Sequence, residues 1–212
     1  MTITKIQKQR GRSPRYILYL DGLEKLELSD WIIAKYGLRT GDEISRSELE
    51  TIKNAEMEYR AKNIAINFLS YRPRCSYEVM NHLLKKGFSS EVSENVVKHL
   101  GSIGMIDDEK FAYKFVQDRI RRKQVGTLML RNQLLNKGIA SDIVDNVISE
   151  LFTYEDQYSL AVKALNRRLK LLRKSRKEVE KEKIRNTLVG FLLRRGFTYD
   201  IAVKAVNNIL EN

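Results

Sequence analysis

Residues 83–88 read Leu83-Leu84-Lys85-Lys86-Gly87-Phe88, and the signature returns as Leu134-Leu135-Asn136-Lys137-Gly138-Ile139 and as Leu192-Leu193-Arg194-Arg195-Gly196-Phe197. The three glycines are 51 and 58 residues apart. Counted from each glycine, the offsets −8, −4, −3, +1, +5, +9, +10 and +13 give Val79, Leu83, Leu84, Phe88, Val92, Val96, Val97 and Leu100 in the first copy. The second copy gives Leu130, Leu134, Leu135, Ile139, Ile143, Val147, Ile148 and Leu151, and the third Leu188, Leu192, Leu193, Phe197, Ile201, Ala205, Val206 and Ile209. All 24 positions are apolar, where a chain that is 42% hydrophobic predicts about ten. The chain therefore carries three copies of one unit.

Offsets −8, −4 and −3 mark one helical stripe and +5, +9, +10 and +13 another, so each copy is a helical hairpin with glycine at the turn. Glycine suits the residue past a helix end, where the left-handed conformation penalises a Cβ. Glu91, Asp142 and Asp200 follow at glycine +4, at the positive end of the next helix, with Ser89, Ser141 and Thr198 as nearby caps. Each hairpin is preceded by another amphipathic stretch: Ala61, Ile64, Ala65, Phe68 and Leu69, then Phe111, Ala112, Phe115, Val116 and Ile120, then Ala161, Ala164, Leu165 and Leu169. The unit thus has three helices. About 50 residues bury too little surface alone, so the units are expected to stack. The fold class is mainly α: an elongated array of three tandem three-helix repeats, over 55–106, 107–153 and 154–212. The extra residues of the last spacing place a lengthening in the first two helices of repeat three.

Before the repeats the period changes. Arg15 to Leu20 and Leu23 to Leu28 flank Asp21-Gly22, a strong hairpin signal. Ser29 and Asp30 are set to cap a short helix through Trp31, Ile32 and Ile33, ending near Gly37, and a longer helix is expected from Ser45. Residues 15–54 therefore read as an extension with a small β-hairpin and helix, and residues 1–14 as a basic flexible arm.

The chain has 39 Lys and Arg against 27 Asp and Glu, a formal charge of +12. Lys5, Lys8, Arg10, Arg12 and Arg15 stand without an acid between them, and Arg119, Arg121, Arg122 and Lys123 form a second cluster. The third run, from Lys163 to Arg185, holds eleven basic residues against Glu178, Glu180 and Glu182. Separated positive runs favour a polyanionic partner. The candidate contacts are Arg72 and Arg74 in the first repeat, Arg119, Arg121, Arg122, Lys123 and Arg131 in the second, and Arg167, Arg168 and Arg173 in the third. Arginine is chosen for phosphates because its guanidinium bonds them bidentately. Tyr71, Tyr77 and Phe111 are aromatics able to stack on bases, although such stripes are usually core.

Catalytic chemistry is not indicated. A phosphate-binding glycine loop, a paired-histidine metal motif and a nucleophile elbow are all missing from the sequence. His82 and His99 read as structural, and Asp107-Asp108-Glu109 reads as a helix cap ahead of Phe111. The single cysteine, Cys75, allows no intramolecular disulfide and no thiolate cage. Beside Arg74 near a helix start it could be reactive, but an ordinary small residue is the simpler reading. No catalytic residue, metal or cofactor is expected. With no apolar stretch of about 18 residues and no signal-like start, the chain is expected to be cytoplasmic, with no membrane partner.

Arg72-Pro73-Arg74-Cys75-Ser76-Tyr77-Glu78-Val79 with Leu83, Lys86, Gly87 and Phe88, and then Gly104-Met105-Ile106-Asp107-Asp108-Glu109-Lys110-Phe111-Ala112, resemble the repeat signatures of the RecX family of regulators of the RecA recombinase. Lys137-Gly138-Ile139 fits a third element, and the resemblance covers about residues 55 to 212. Cys75 departs from the family's usual serine, and Arg195 from its lysine. The resemblance implies a non-enzymatic modulator that binds the RecA–DNA filament and mainly inhibits its ATPase, recombinase and coprotease activities in DNA repair and the SOS response, and the chain is expected to be a monomer. It also implies weak, non-specific contact with single- or double-stranded DNA. The residues alone equally suit a stand-alone nucleic-acid-binding protein or a helical scaffold for another acidic partner.

Overall fold

The structure is a computed structural model that describes residues 1–10, 15–22, 24–172 and 181–211. The chain forms two compact units, one of Met1–Arg72 with Val79–Leu100, the other of Pro73–Glu78 with Gly101–Asn212.

The first unit opens with a three-stranded antiparallel sheet in the order β1 (Ile3–Gln9), β2 (Arg15–Leu20), β3 (Glu24–Ser29). The expected hairpin is β2–β3, with Leu20 opposite Glu24 across a turn that holds Asp21 and Gly22 at positive φ. The flexible arm is not what residues 3–9 form: they are strand β1, paired with β2 from Ile3↔Leu20 to Gln9↔Arg15. The polarity that suggested an arm is that of an edge strand, whose lysines discourage further pairing. Ile3 is fully buried with Leu18, Leu20, Leu28, Ile32, Ile44, Leu49 and Ile52, and Ile6 packs partly buried against the same cluster. Burying one such side chain contributes about 1.5–3 kcal/mol, enough to anchor a short strand. Arg12 of the arm lies outside the described residues.

Helix α1 (Asp30–Tyr36) starts at the cap Ser29 and ends at left-handed Gly37, as its sequence directs. Helix α2 (Arg46–Ser70) starts at a capping box, in which Glu48 N–H donates to Ser45 Oγ at 3.2 Å and Ser45 N–H to Glu48 Oε2 at 2.8 Å. It then runs without a break through the boundary expected at 54/55, because neither glycine nor proline interrupts its 25 residues. Glu56, 4% exposed, fixes α1 against α2: its Oε2 accepts Ser29 N–H and Ser29 Oγ–H, both at 2.8 Å. Helices α3 (Ser76–Lys85) and α4 (Ser90–Ser102) follow, the first turn of α3 belonging to the second unit.

The second unit holds α5 (Asp108–Arg122), α6 (Thr127–Leu135), α7 (Ser141–Leu151), α8 (Tyr154–Leu172), α9 (Lys181–Arg194) and α10 (Tyr199–Glu211). Two apolar clusters fill it: one around Phe111, Val116, Leu130, Leu134 and Val147, the other around Leu165, Leu188, Leu192, Phe197 and Val206. The lengthening expected in the third copy is present, since α8 has 19 residues against 15 in α5, and α9 has 14 against 9 in α6.

The three repeat turns share one geometry. Gly87, Gly138 and Gly196 have φ of 89°, 75° and 82°. In each, the residue after glycine donates its N–H to the carbonyl five residues back (Phe88 to Leu83, Ile139 to Leu134, Phe197 to Leu192), the double-bonded helix stop that glycine permits. Within the second unit these turns also make the joints. At one joint, residues 75–78 meet the Gly138 turn: Cys75 Sγ–H donates to the Lys137 carbonyl at 3.2 Å, Lys137 Nζ pairs with Glu78 at 2.9 Å, and the Tyr77 ring occupies the space where a Gly138 Cβ would stand. At the other, the start of α6 meets the Gly196 turn: Gly126 N–H donates to the Arg195 carbonyl at 2.8 Å and Leu128 N–H to the Gly196 carbonyl at 3.0 Å. Cys75 and Gly126 stand at the same offset, −12, from their own glycines. At the second joint free N–H groups at a helix start meet free carbonyls at the end of another helix, which satisfies both and aligns opposite dipole ends, whereas at the first the Cys75 thiol makes the bond to the turn and Ser76 N–H goes to Asp108.

Candidate functional site

The basic residues at the end of α5 owe their place to the helix itself, because cations complement its negative C-terminal end. Arg119 is tethered: its Nε donates to Gln133 Oε1 at 2.8 Å and its guanidinium lies 5.4 Å from the Phe115 ring centre. Arg121, Arg122 and Lys123 are exposed. Arg121 pairs with Asp118 at 2.6 Å, and since its side chain is 75% exposed this pair adds little stability and competes weakly with a phosphate.

The chain leaves α5 in extended conformation at Lys123 and reaches the Gly196 turn within three residues. Gln124, between them, gathers cations from the third repeat. Its Oε1 accepts Arg167 Nη1 at 2.9 Å and its backbone carbonyl accepts Arg195 Nη1 at 3.0 Å. Arg168 and Arg195 both lie over the Phe191 ring, at 5.7 and 4.7 Å from its centre. The result is a cationic seam at the joint of repeats two and three: Arg167 and Arg195 meet at Gln124, Arg168 shares the Phe191 ring with Arg195, and Arg121, Arg122 and Lys123 immediately precede Gln124 in the chain. Rings and amides hold three of the guanidiniums in place, which lowers the entropy lost when they bind an anion.

Four expected residues fall elsewhere. Arg131 is taken up within its own hairpin, donating from Nε and Nη2 to Asp145 at 2.8 and 3.1 Å and from Nη2 to Ser141 at 2.9 Å. Its hydrogen bonds hold the Asp145 carboxyl below the usual carboxylate range. Arg72, exposed, and Arg74, half-buried, stand on the turn between α2 and α3, and Arg173 lies outside the described residues. Arg195 was missed as a site residue, since it reads as the repeat's turn cation; its third-repeat position became informative only with the joint in view.

The other candidates resolve simply. Cys75 is buried, and that burial pushes its thiol up, the reverse of an activated thiolate. Asp107 caps α5, its carboxylate accepting Lys110 N–H at 2.9 Å, and Asp108 accepts Ser76 N–H at the start of α3 at 2.7 Å. His82 stacks on Phe68, ring centres 3.9 Å apart. Of the aromatics, Phe111 is core, whereas Tyr71 is 84% exposed and not part of it. Among the described residues no three His, Cys, Asp or Glu side chains gather as metal ligands, and no helix is long and apolar enough to cross a membrane.

Fold and seam together define a tandem helical-repeat protein with a cationic joint. Residues 61–100 match the family model described as RecX, first three-helix domain, and residues 107–148 the one described as RecX, second three-helix domain. A Lactobacillus johnsonii protein named regulatory protein RecX is 35% identical over 149 residues, 70% of this chain and 55% of that protein. A Listeria monocytogenes protein of the same name is 28% identical over 97% of this chain and 74% of its own length. Among solved structures, a crystal structure of regulatory protein RecX superposes with a TM-score of 0.75 at 27% identity, covering 96% of this chain and 98% of the other. RecX from Lactobacillus salivarius has a similar fold, with a TM-score of 0.65 at 24% identity over 74% of this chain and 98% of that one. The chain belongs to the RecX family of regulatory proteins.

Proposed function

We propose that this chain regulates RecA by binding the RecA–DNA filament and restraining it, lowering ATP hydrolysis, strand exchange and coprotease activity in DNA repair and the SOS response. It acts in the cytoplasm, as a monomer, and carries out no catalytic step of its own. The observation that supports this reading is the cationic seam, because a filament offers what such a surface needs: DNA phosphates and acidic protein surface repeated along one axis. Contact through Arg119, Arg121, Arg122, Lys123, Arg167, Arg168 and Arg195 is sequence-independent, since phosphate contacts position a protein without reading bases. DNA alone binds the same surface weakly and without specificity. Arg72, Arg74 and Arg173 are secondary contacts in this reading, while Arg131 serves its own hairpin.

The test is a combined Arg121→Ala, Arg122→Ala, Lys123→Ala variant in cosedimentation with preformed RecA–DNA filaments. All three side chains are exposed, so helicity and thermal midpoint should match the parent within the usual small effect of surface changes. The expected result is filament affinity weakened tenfold or more. Unchanged affinity at matched helicity contradicts the assignment of the seam.

A further inference from the structure

A second surface, in the first unit, has a different chemistry. A cavity of about 350 Å³ opens between α1, α2 and α4, and its lining includes Trp31, Lys35, Tyr59, Lys62, Asn63 and His99. This is at the small end of the roughly 300–1,000 Å³ usual for ligand sites. Trp31 is 45% exposed. Its ring lies parallel to that of Tyr59, with centres 5.0 Å apart and planes 2° apart. Lys35 Nζ stands 4.8 Å from the Trp31 ring centre, and Lys62 Nζ stands 2.7 Å from His99 Nε2, where the ammonium donates and the ring nitrogen accepts.

The placement of the pair is structural in origin. Ser29 and the buried Glu56 fix α1 on α2, which brings Trp31 from one helix onto Tyr59 of the other. The core of this unit is formed by Ile3, Leu18, Leu20, Leu28, Ile32 and their neighbours without Trp31. A large ring left half in water therefore contributes less to folding than it would if buried.

We infer that this pocket binds single-stranded DNA, holding one base against the Trp31–Tyr59 pair with Lys35 and Lys62 on the adjoining phosphates. Stacked aromatics flanked by cations are the recurring platform for unpaired bases, because every base has a π-face and every nucleotide a negative charge. The polar lining, Asn63 and Asn95 with Glu58, supplies donors and acceptors for a base edge. Other occupants fit less well. A cationic ligand would face two ammonium groups, a purely apolar one would strand the amides and lysines, and the bases of a duplex are already stacked on one another.

Trp31 is the only tryptophan of the chain, so its fluorescence reports on this pocket alone. The experiment titrates the full chain, without RecA, with a short oligothymidylate. Duplex of equal length, oligouridylate and inorganic phosphate serve as parallel arms. The expected result is saturable quenching by the DNA single strand, with apparent affinity weakened tenfold or more by Tyr59→Leu combined with Lys62→Ala. The same quenching should persist in the seam variant Arg121→Ala, Arg122→Ala, Lys123→Ala. Circular dichroism checks that each variant is folded, and Lys35→Glu provides a second, surface-only substitution with the same expected loss. The inference is overturned if anisotropy reports DNA binding without quenching, if duplex or phosphate quenches equally, if oligouridylate binds more tightly, or if the pocket variants quench like the parent. Because RecA is left out, these outcomes are separate from success or failure of the filament reading.

Discussion

Gly126→Ala is expected to cost the folded chain about 2–4 kcal/mol. A Cβ at Gly126 would stand on the carbonyl of Gly196 and on Phe197 N, backbone atoms that cannot swing away like the end of a side chain. The overlap costs about 1–3 kcal/mol if the neighbours shift. Such a shift also strains the two backbone hydrogen bonds of the joint, each worth about 1 kcal/mol. Conformation is not the cause, since Gly126 has φ −80° and ψ 166°, where alanine is at ease. Gly101→Ala is the control: it lies inside α4 with open space around its Cβ, and alanine there should be neutral or stabilise by up to about 1 kcal/mol. Urea unfolding of both variants checks the pair. A Gly126→Ala protein within about 0.5 kcal/mol of the parent would show that the joint between repeats two and three is looser than the structure has it.

Filament and DNA binding should fall steeply with salt. Six to ten neutralised phosphates lose about 10³ to 10⁵ in affinity between 50 and 200 mM salt, and the seven cations of the proposed contact place this chain at about the lower end. Removing three contacts in the Arg121→Ala, Arg122→Ala, Lys123→Ala variant should reduce the slope of log affinity against log salt by about 2 to 3. Arg121 counts among them because its partner Asp118 is itself 42% exposed and releases it at little cost. Titration by fluorescence anisotropy at several salt concentrations measures both slopes. Equal slopes for parent and variant would place the phosphate contacts on other residues.

Much of this architecture is legible in the sequence because local rules decide it. The three glycines, the stripes around them and the Ser29 and Ser45 caps each solve a local problem, and the chain folds as they direct. Strand β1 was hidden because its partner supplies what it needs: backbone pairing with β2 and cover for Ile3 and part of Ile6, three residues apart rather than two, so with Lys5, Gln7 and Lys8 between and beside them no strand alternation can be read. The continuity of α2 was hidden because the repeat begins inside it: neither glycine nor proline marks the point between Arg46 and Ser70 where the extension gives way to the first repeat. In the site, the run from Arg119 to Lys123 is visible as charge, but its meeting with Arg167 and Arg195 depends on the turn-to-helix joint through Gln124. A trace of that joint does exist in the sequence, in the small residues Cys75 and Gly126 at one offset from successive glycines. Its meaning is a close approach of backbones, which composition and periodicity do not register.

The proposed function is restraint of the RecA filament by this chain. DNA-dependent ATP hydrolysis by RecA of the same organism, with this protein titrated onto preformed filaments, tests it most directly. Inhibition well below one molecule per RecA subunit is the expected result. Hydrolysis that stays flat over the same range, while the protein still binds DNA by itself, would contradict it and leave a stand-alone DNA-binding protein in its place.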